Sequence, residues 1–198
     1  MPCVVDRRSS RPWLRRLLCV GAIGWAVLIP SAALAASHAS GAPVVGLLAA
    51  LPYAVGAVIC HQQPARSFAI WSQQLPVCAR CTGIYAGAAI AALVVSLRVA
   101  RGFQPRGRGP AAFAPPALRR ASPKLAQHTG ERRRERAALH MSAQRMFLIV
   151  AALPTLATLA YEWSTSATPP NVVRAIAGFP LGAAVAWVIL SAVDDQVN

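Results

Sequence analysis

Apolar residues in this chain fall in long unbroken runs instead of alternating with polar ones. Five runs stand out, at about Leu17–Ala36, Val44–Cys60, Thr82–Leu97, Met146–Trp163 and Val172–Val193. Each holds about 16 to 22 residues, near the ~20 that carry a helix across a bilayer. Ala and Leu dominate them, and no period-two pattern marks strands, which are not expected. A helix satisfies its own backbone hydrogen bonds in lipid. The pattern therefore predicts an all-α integral membrane helix bundle with about five transmembrane helices.

The segments between the runs differ in character. Residues 1–16 form a basic lead with Arg7, Arg8, Arg11, Arg15 and Arg16. The first helix, 17–36, closes on Ala33-Leu34-Ala35, so a cleaved signal peptide is the rival to an uncleaved span. Residues 44–97 hold the second and third helices with a Cys/His loop between them. Residues 98–145 read as a disordered Arg/Pro-rich loop, with Glu131–Arg136 as a short interfacial helix inside it. Residues 146–193 hold the fourth and fifth helices.

Composition supports the membrane assignment. Of the 198 residues 56% are hydrophobic and 13% charged, yet the net charge is +14. A soluble domain carries about 25% charged residues. A disordered chain is too polar to match. The arginine block lacks interleaved aromatics, so no nucleic-acid partner is expected; the expected partner is a bilayer with anionic headgroups. Protein partners are not indicated. If all five runs cross, the N-terminal lead and the Cys60–Cys81 loop share one face, and the 98–145 loop lies on the other. Basic residues then load both faces, which sets the positive-inside rule against itself. The long loop is the better cytoplasmic candidate, because the alternative translocates twelve basic residues.

The chemistry is concentrated in one loop. Cys60 and His61 open it; Cys78 and Cys81 close it in a Cys-x-x-Cys at the mouth of the third helix. Three thiolates and an imidazole make a tetrahedral set for zinc or another thiophilic metal. The rival is thiol-disulfide exchange by the Cys78/Cys81 pair, with Cys60 as resolving partner. A third alternative is a non-catalytic scaffold or accessory subunit with a structural site. Cys3 and Cys19 fall outside the set. Phe68 and Trp71 are expected to anchor the loop at the interface.

Arg66, Arg80, Arg174 and Glu162 lie on the same side by the crossing count. Ionisable groups at membrane depth are costly and tend to be paired or functional. A basic rim of this kind suits a phosphate or carboxylate. Gly83 and Gly87 in the third helix, and Gly178 and Gly182 in the fifth, have the spacing that lets helices approach closely. Pairing these two helices would carry Arg174 toward Cys81.

Together, Cys60-His61-Gln62, Pro64, Arg66-Ser67-Phe68, Val77-Cys78-Ala79-Arg80-Cys81-Thr82-Gly83-Ile84-Tyr85 and Gly87 resemble a family of bacterial and archaeal multi-pass membrane proteins called domain of unknown function 2085. Leu153-Pro154, Asn171, Arg174 and Gly178 add later echoes. The resemblance implies a multi-pass protein of the cell (inner) membrane and no particular reaction. Such proteins often carry an acid one turn after the Leu-Pro; here Thr158 stands there, and Glu162 follows a turn later.

Overall fold

The computed structural model describes residues 12–39, 43–100 and 123–195. Five helices account for most of them: α1 (Pro12–Ser37), α2 (Pro43–Ile59), α3 (Ala79–Ala100), α4 (Pro123–Thr165) and α5 (Asn171–Asp195). Four contain stretches long and apolar enough to cross a membrane: Trp13–Ser37, Ala79–Arg98, Met141–Thr165 and Asn171–Val193. Large apolar side chains such as Val20, Ile149, Val150, Val172 and Ile176 point outward. In water that surface would be a liability, whereas in a bilayer it is the lipid-facing belt. The protein is an all-α membrane helix bundle.

Interhelical contacts fix the direction of each helix. Trp25 meets Tyr85 edge to face, with ring centroids 6.0 Å apart, and Cys19 packs with Ala92 and Leu190. Hence α1 runs antiparallel to α3. Helices α3 and α5 run parallel and touch backbone to backbone. A methyl group on Gly83 would overlap the Ala175 carbonyl, and one on Gly87 the Phe179 carbonyl. From the other side, Gly178 faces the Arg80 carbonyl and Gly182 the Ile84 carbonyl. Helix α4 runs antiparallel to α5, with Thr155 Oγ1 donating to the Ala177 carbonyl at 2.8 Å in a buried interhelical bond.

Helix α2 does not return the chain across the bundle. Ile29 and Ala33, in the C-terminal half of α1, pack against Leu75 and Val77 of the cysteine loop. Gly56 of α2 abuts the Pro76 carbonyl of that same loop. Both ends of α2 therefore lie at the loop end of the bundle. Its 17 residues span about 25 Å, short of the ~30 Å hydrocarbon core. This changes the sidedness expected from five crossings. The N-terminal end of α1 now shares a face with the end of α3, the start of α4 and the end of α5. The sequence segments joined to those ends carry all the Lys and Arg except Arg66, Arg80 and Arg174. The conflict in the positive-inside rule disappears.

Two further differences from the sequence pattern are local. Helix α4 begins at Pro123, well before the expected fourth span, so 123–145 is helix and not disordered loop, and Glu131–Arg136 lies within one continuous helix. The stretch is dense in Ala, Leu, Glu, Gln and Arg, all strong helix formers. The rest of the expected disorder, 101–122, lies outside the described residues, as does Cys3. Second, the cysteine loop contains a small antiparallel hairpin, β1 (Ala69–Ile70) and β2 (Gln73–Gln74), which the apolar pattern did not suggest. Its two-residue turn, Trp71-Ser72, has φ of 53° and 60°, the twist that suits tight hairpins.

Gly182→Leu is expected to destabilise the detergent-solubilised protein by about 1–3 kcal/mol or more through overpacking. Gly24→Leu, where nothing lies within 4 Å of a new methyl group, is expected to change little. Thermal unfolding of the two variants side by side checks this. The positive-inside rule now puts the basic face in the cytoplasm. A phosphatase reporter in the 166–170 linker should then be active outside the cell, and a fluorescent fusion at the C-terminus bright inside. The reverse pattern would place the cysteines in the cytoplasm.

Candidate metal centre and its basic rim

The site forms where the end of α2, the loop and the start of α3 meet. Cys60 follows the last turn of α2, its N–H donating to the Gly56 carbonyl at 2.8 Å. Cys78 precedes α3, and Cys81 lies in its first turn. The sulfurs of Cys60, Cys78 and Cys81 all lie within 4.8 Å of one another. All three thiols are free and half-buried. The Cys78 N–H donates to Cys60 Sγ at 3.2 Å, so the loop backbone already supports a sulfur carrying negative charge. His61 is exposed; it lines the same cavity but stands outside the sulfur trio. Cys19 is buried at the opposite end of the bundle.

Side-chain amides hold the loop in this shape. Gln62 adopts a φ of 47° and sends Nε2 to two carbonyls, Tyr53 at 2.8 Å and Pro76 at 2.7 Å. Gln74 Nε2 donates back to the Gln62 carbonyl at 2.6 Å, and the Tyr53 hydroxyl donates to the Gln74 carbonyl. Ser67 Oγ donates to the Gln63 carbonyl at 3.0 Å, while Asn171 Nδ2 of α5 donates to the Ser67 carbonyl at 3.0 Å. Gln62 thus ties the last turns of α2 to the residues just before Cys78. No charge or metal-ligand pattern marks Gln74 or Tyr53 in the sequence. Phe68 packs into the cluster around Leu75 and Val77, whereas Trp71 at the hairpin tip is exposed.

Beside the sulfurs sits an ion cluster built from four elements. Glu162 of α4 is 5% exposed at its side chain, and its Oε1 accepts from Arg80 Nη2 and Arg174 Nε, both at 2.8 Å. Arg66, from the loop, reaches Oε2 at 3.7 Å. Arg80 Nη2 also donates to Thr158 Oγ1 at 3.3 Å. The Arg80 Nε is buried and has no hydrogen-bond partner. Arg66, Arg80, Arg174 and all three cysteines line one cavity of about 380 Å³. Glu162 and Thr158 therefore face the same arginine from successive turns of α4.

Similarity to known proteins centres on this site. The family described as "Predicted membrane protein (DUF2085)" matches residues 60–108. Over that stretch the chain resembles this family. The match holds all three cysteines, Arg66, Arg80, Gly83 and Gly87, and leaves Glu162 and Arg174 outside. An uncharacterized protein of Methanocaldococcus jannaschii is 50% identical over 42 residues, 21% of this chain and 27% of that protein. An uncharacterized protein of Methanothermobacter thermautotrophicus is 57% identical over 30 residues, 15% of this chain and 27% of its own. The chain spans about a quarter of the length of these curated relatives. No solved structure matches.

The Cys78 thiol is pushed down to about 5, chiefly by the hydrogen bond that Cys81 gives it, against the opposing effect of burial. Backbone N–H groups at the start of α3 and the Cys60 side chain add to the lowering. Cys78 is then mostly thiolate above about pH 6 and loses that character as pH falls through 5. Chelator-treated protein is expected to be alkylated by iodoacetamide at Cys78 at a rate nearly flat from pH 6 to 8. A rate that instead climbs steeply above pH 8, measured by mass spectrometry, would show an ordinary thiol.

Proposed function

We propose that this is a membrane metal-binding protein in which Cys60, Cys78 and Cys81 hold one thiophilic ion, zinc being the simplest fit. The observation that carries this is the sulfur trio itself. Sulfurs about 2.3 Å from a tetrahedral ion are about 3.8 Å apart; these lie within 4.8 Å of one another, so only a small inward movement closes the set. Three protein ligands leave a fourth position. It opens toward the cavity that His61, Arg66, Arg80 and Arg174 line. His61 can supply that ligand by a side-chain rotation, or a water or substrate group can occupy it. Sites with three protein ligands and an open position are the ones that activate water or polarise a bound group.

Thiol-disulfide exchange is the second reading, favoured by the depressed Cys78 thiol with two other thiols beside it. It fits a loop on the outer face of a cell membrane, where disulfides persist.

One experiment separates the two. Protein purified without added metal and analysed by elemental mass spectrometry is expected to carry about one ion per chain. Cys60→Ser, Cys78→Ser and Cys81→Ser are each expected to lose most of it. Metal-free protein whose Cys78 and Cys81 form a reversible disulfide would replace the metal reading by the exchange reading.

A further inference from the structure

The arginines at the cavity outnumber the acid they share. Glu162 is one carboxylate shared by Arg66, Arg80 and Arg174, so two guanidiniums have no carboxylate of their own. The loop and the helix ends around the cavity contain no other Asp or Glu. Two guanidiniums converge on one oxygen, Oε1, and among the described residues neither adds a hydrogen bond to Oε2. The fork that an arginine offers a carboxylate is thus used at only one prong in each. The Arg80 Nε is buried with no acceptor at all, a state that a buried donor seldom tolerates. Arg174 is 3% exposed, so water does not neutralise its charge either.

The helices add to this excess. α3 and α5 run parallel and both begin at the cavity, with no acidic residue in either first turn. Their N-terminal ends contribute partial positive charge at the same place.

We propose that the cavity binds a phosphate group, held by Arg66, Arg80 and Arg174, the three guanidiniums that line it. A phosphate carries about −1.5 to −2 charges near neutral pH and offers three oxygens, one for each of the three guanidiniums. A carboxylate offers only two oxygens to the three. The cavity, about 380 Å³, holds such a group with room for what it is attached to. None of the three arginines is a sulfur-site ligand, so phosphate binding does not require a metal at the cysteines. The phosphate can belong to a small soluble molecule or to the monoester headgroup of a phosphatidic acid; the recognition chemistry is the same.

Calorimetric titration of the full chain, in neutral detergent and chloride buffer, tests it with two probes: inorganic phosphate and short-chain dihexanoyl phosphatidic acid. At least one is expected to bind. Arg66 is 40% exposed at its side chain, so Arg66→Gln is expected to fold, as thermal unfolding can check. It should weaken binding roughly tenfold, the loss of one charge-assisted hydrogen bond, and Arg66→Lys should recover part of it. Glu162→Gln removes the competing carboxylate and should tighten binding. Binding of inorganic phosphate points to a soluble ligand; binding of the lipid alone points to a headgroup. Failure of both probes to bind, or binding that Arg66→Gln leaves unchanged, overturns the proposal, as does weaker binding in folded Glu162→Gln protein.

Discussion

Two parallel helices that touch through glycines set the geometry of everything at the loop end of this protein. With Gly83, Gly87, Gly178 and Gly182 along the seam, the carbonyls of one helix occupy the space where side chains of the other would stand. That contact brings the first turns of α3 and α5 together. Arg80 and Arg174, each one turn or less into its helix, are then forced into the same small volume. Like charges at that separation repel strongly in a poorly solvated place. Glu162, arriving antiparallel on α4, is what makes the approach tolerable. The seam therefore creates a charge problem, and the fourth helix answers it.

The answer is incomplete by design of the parts. A buried ion pair repays its desolvation only when the remaining lone pairs and protons find partners. Here one carboxylate oxygen is doubly used and the other barely used, and one buried guanidinium nitrogen has no hydrogen-bond partner. The three thiols line the same cavity, and Cys78 is held well below the ordinary thiol range. The sulfur site and the basic rim share a wall-to-wall electrostatic environment. Charge gained on one side is felt on the other.

Much of this was legible in the sequence. The apolar runs gave the helices, the Cys-x-x-Cys beside Cys60 gave the thiol cluster, and the glycine spacing pointed to the seam. What was not legible had physical causes. Helix α2 has the composition of a span, and its contacts with Pro76 and Gln74 of the loop reveal that it stays at one end. The hairpin turn uses Trp71-Ser72 in place of the Asn or Gly that usually signals positive φ, so no turn chemistry announced it. The amide ties through Gln62 and Gln74 join residues far apart in the chain, and a glutamine in a polar loop carries no local sign of its partner. Glu162 and Arg174 were adjacent enough to pair on inspection, but Arg80 joins them only because two helices pack.

The placement of α2 also bears on how the protein enters its membrane. With the chain returning to the basic face after α3 and again after α5, only two hairpin tips must pass through the bilayer: residues 38–78 and 166–170. Between them these tips contain one formally charged residue, Arg66, and no Asp, Glu or Lys. Carrying a charge through hydrocarbon is the dominant barrier to inserting such a hairpin, and the tips themselves carry one. Its basic segments stay behind as ballast. Glu162, Arg80 and Arg174 enter inside the helices themselves, where they meet one another once the hairpins pair.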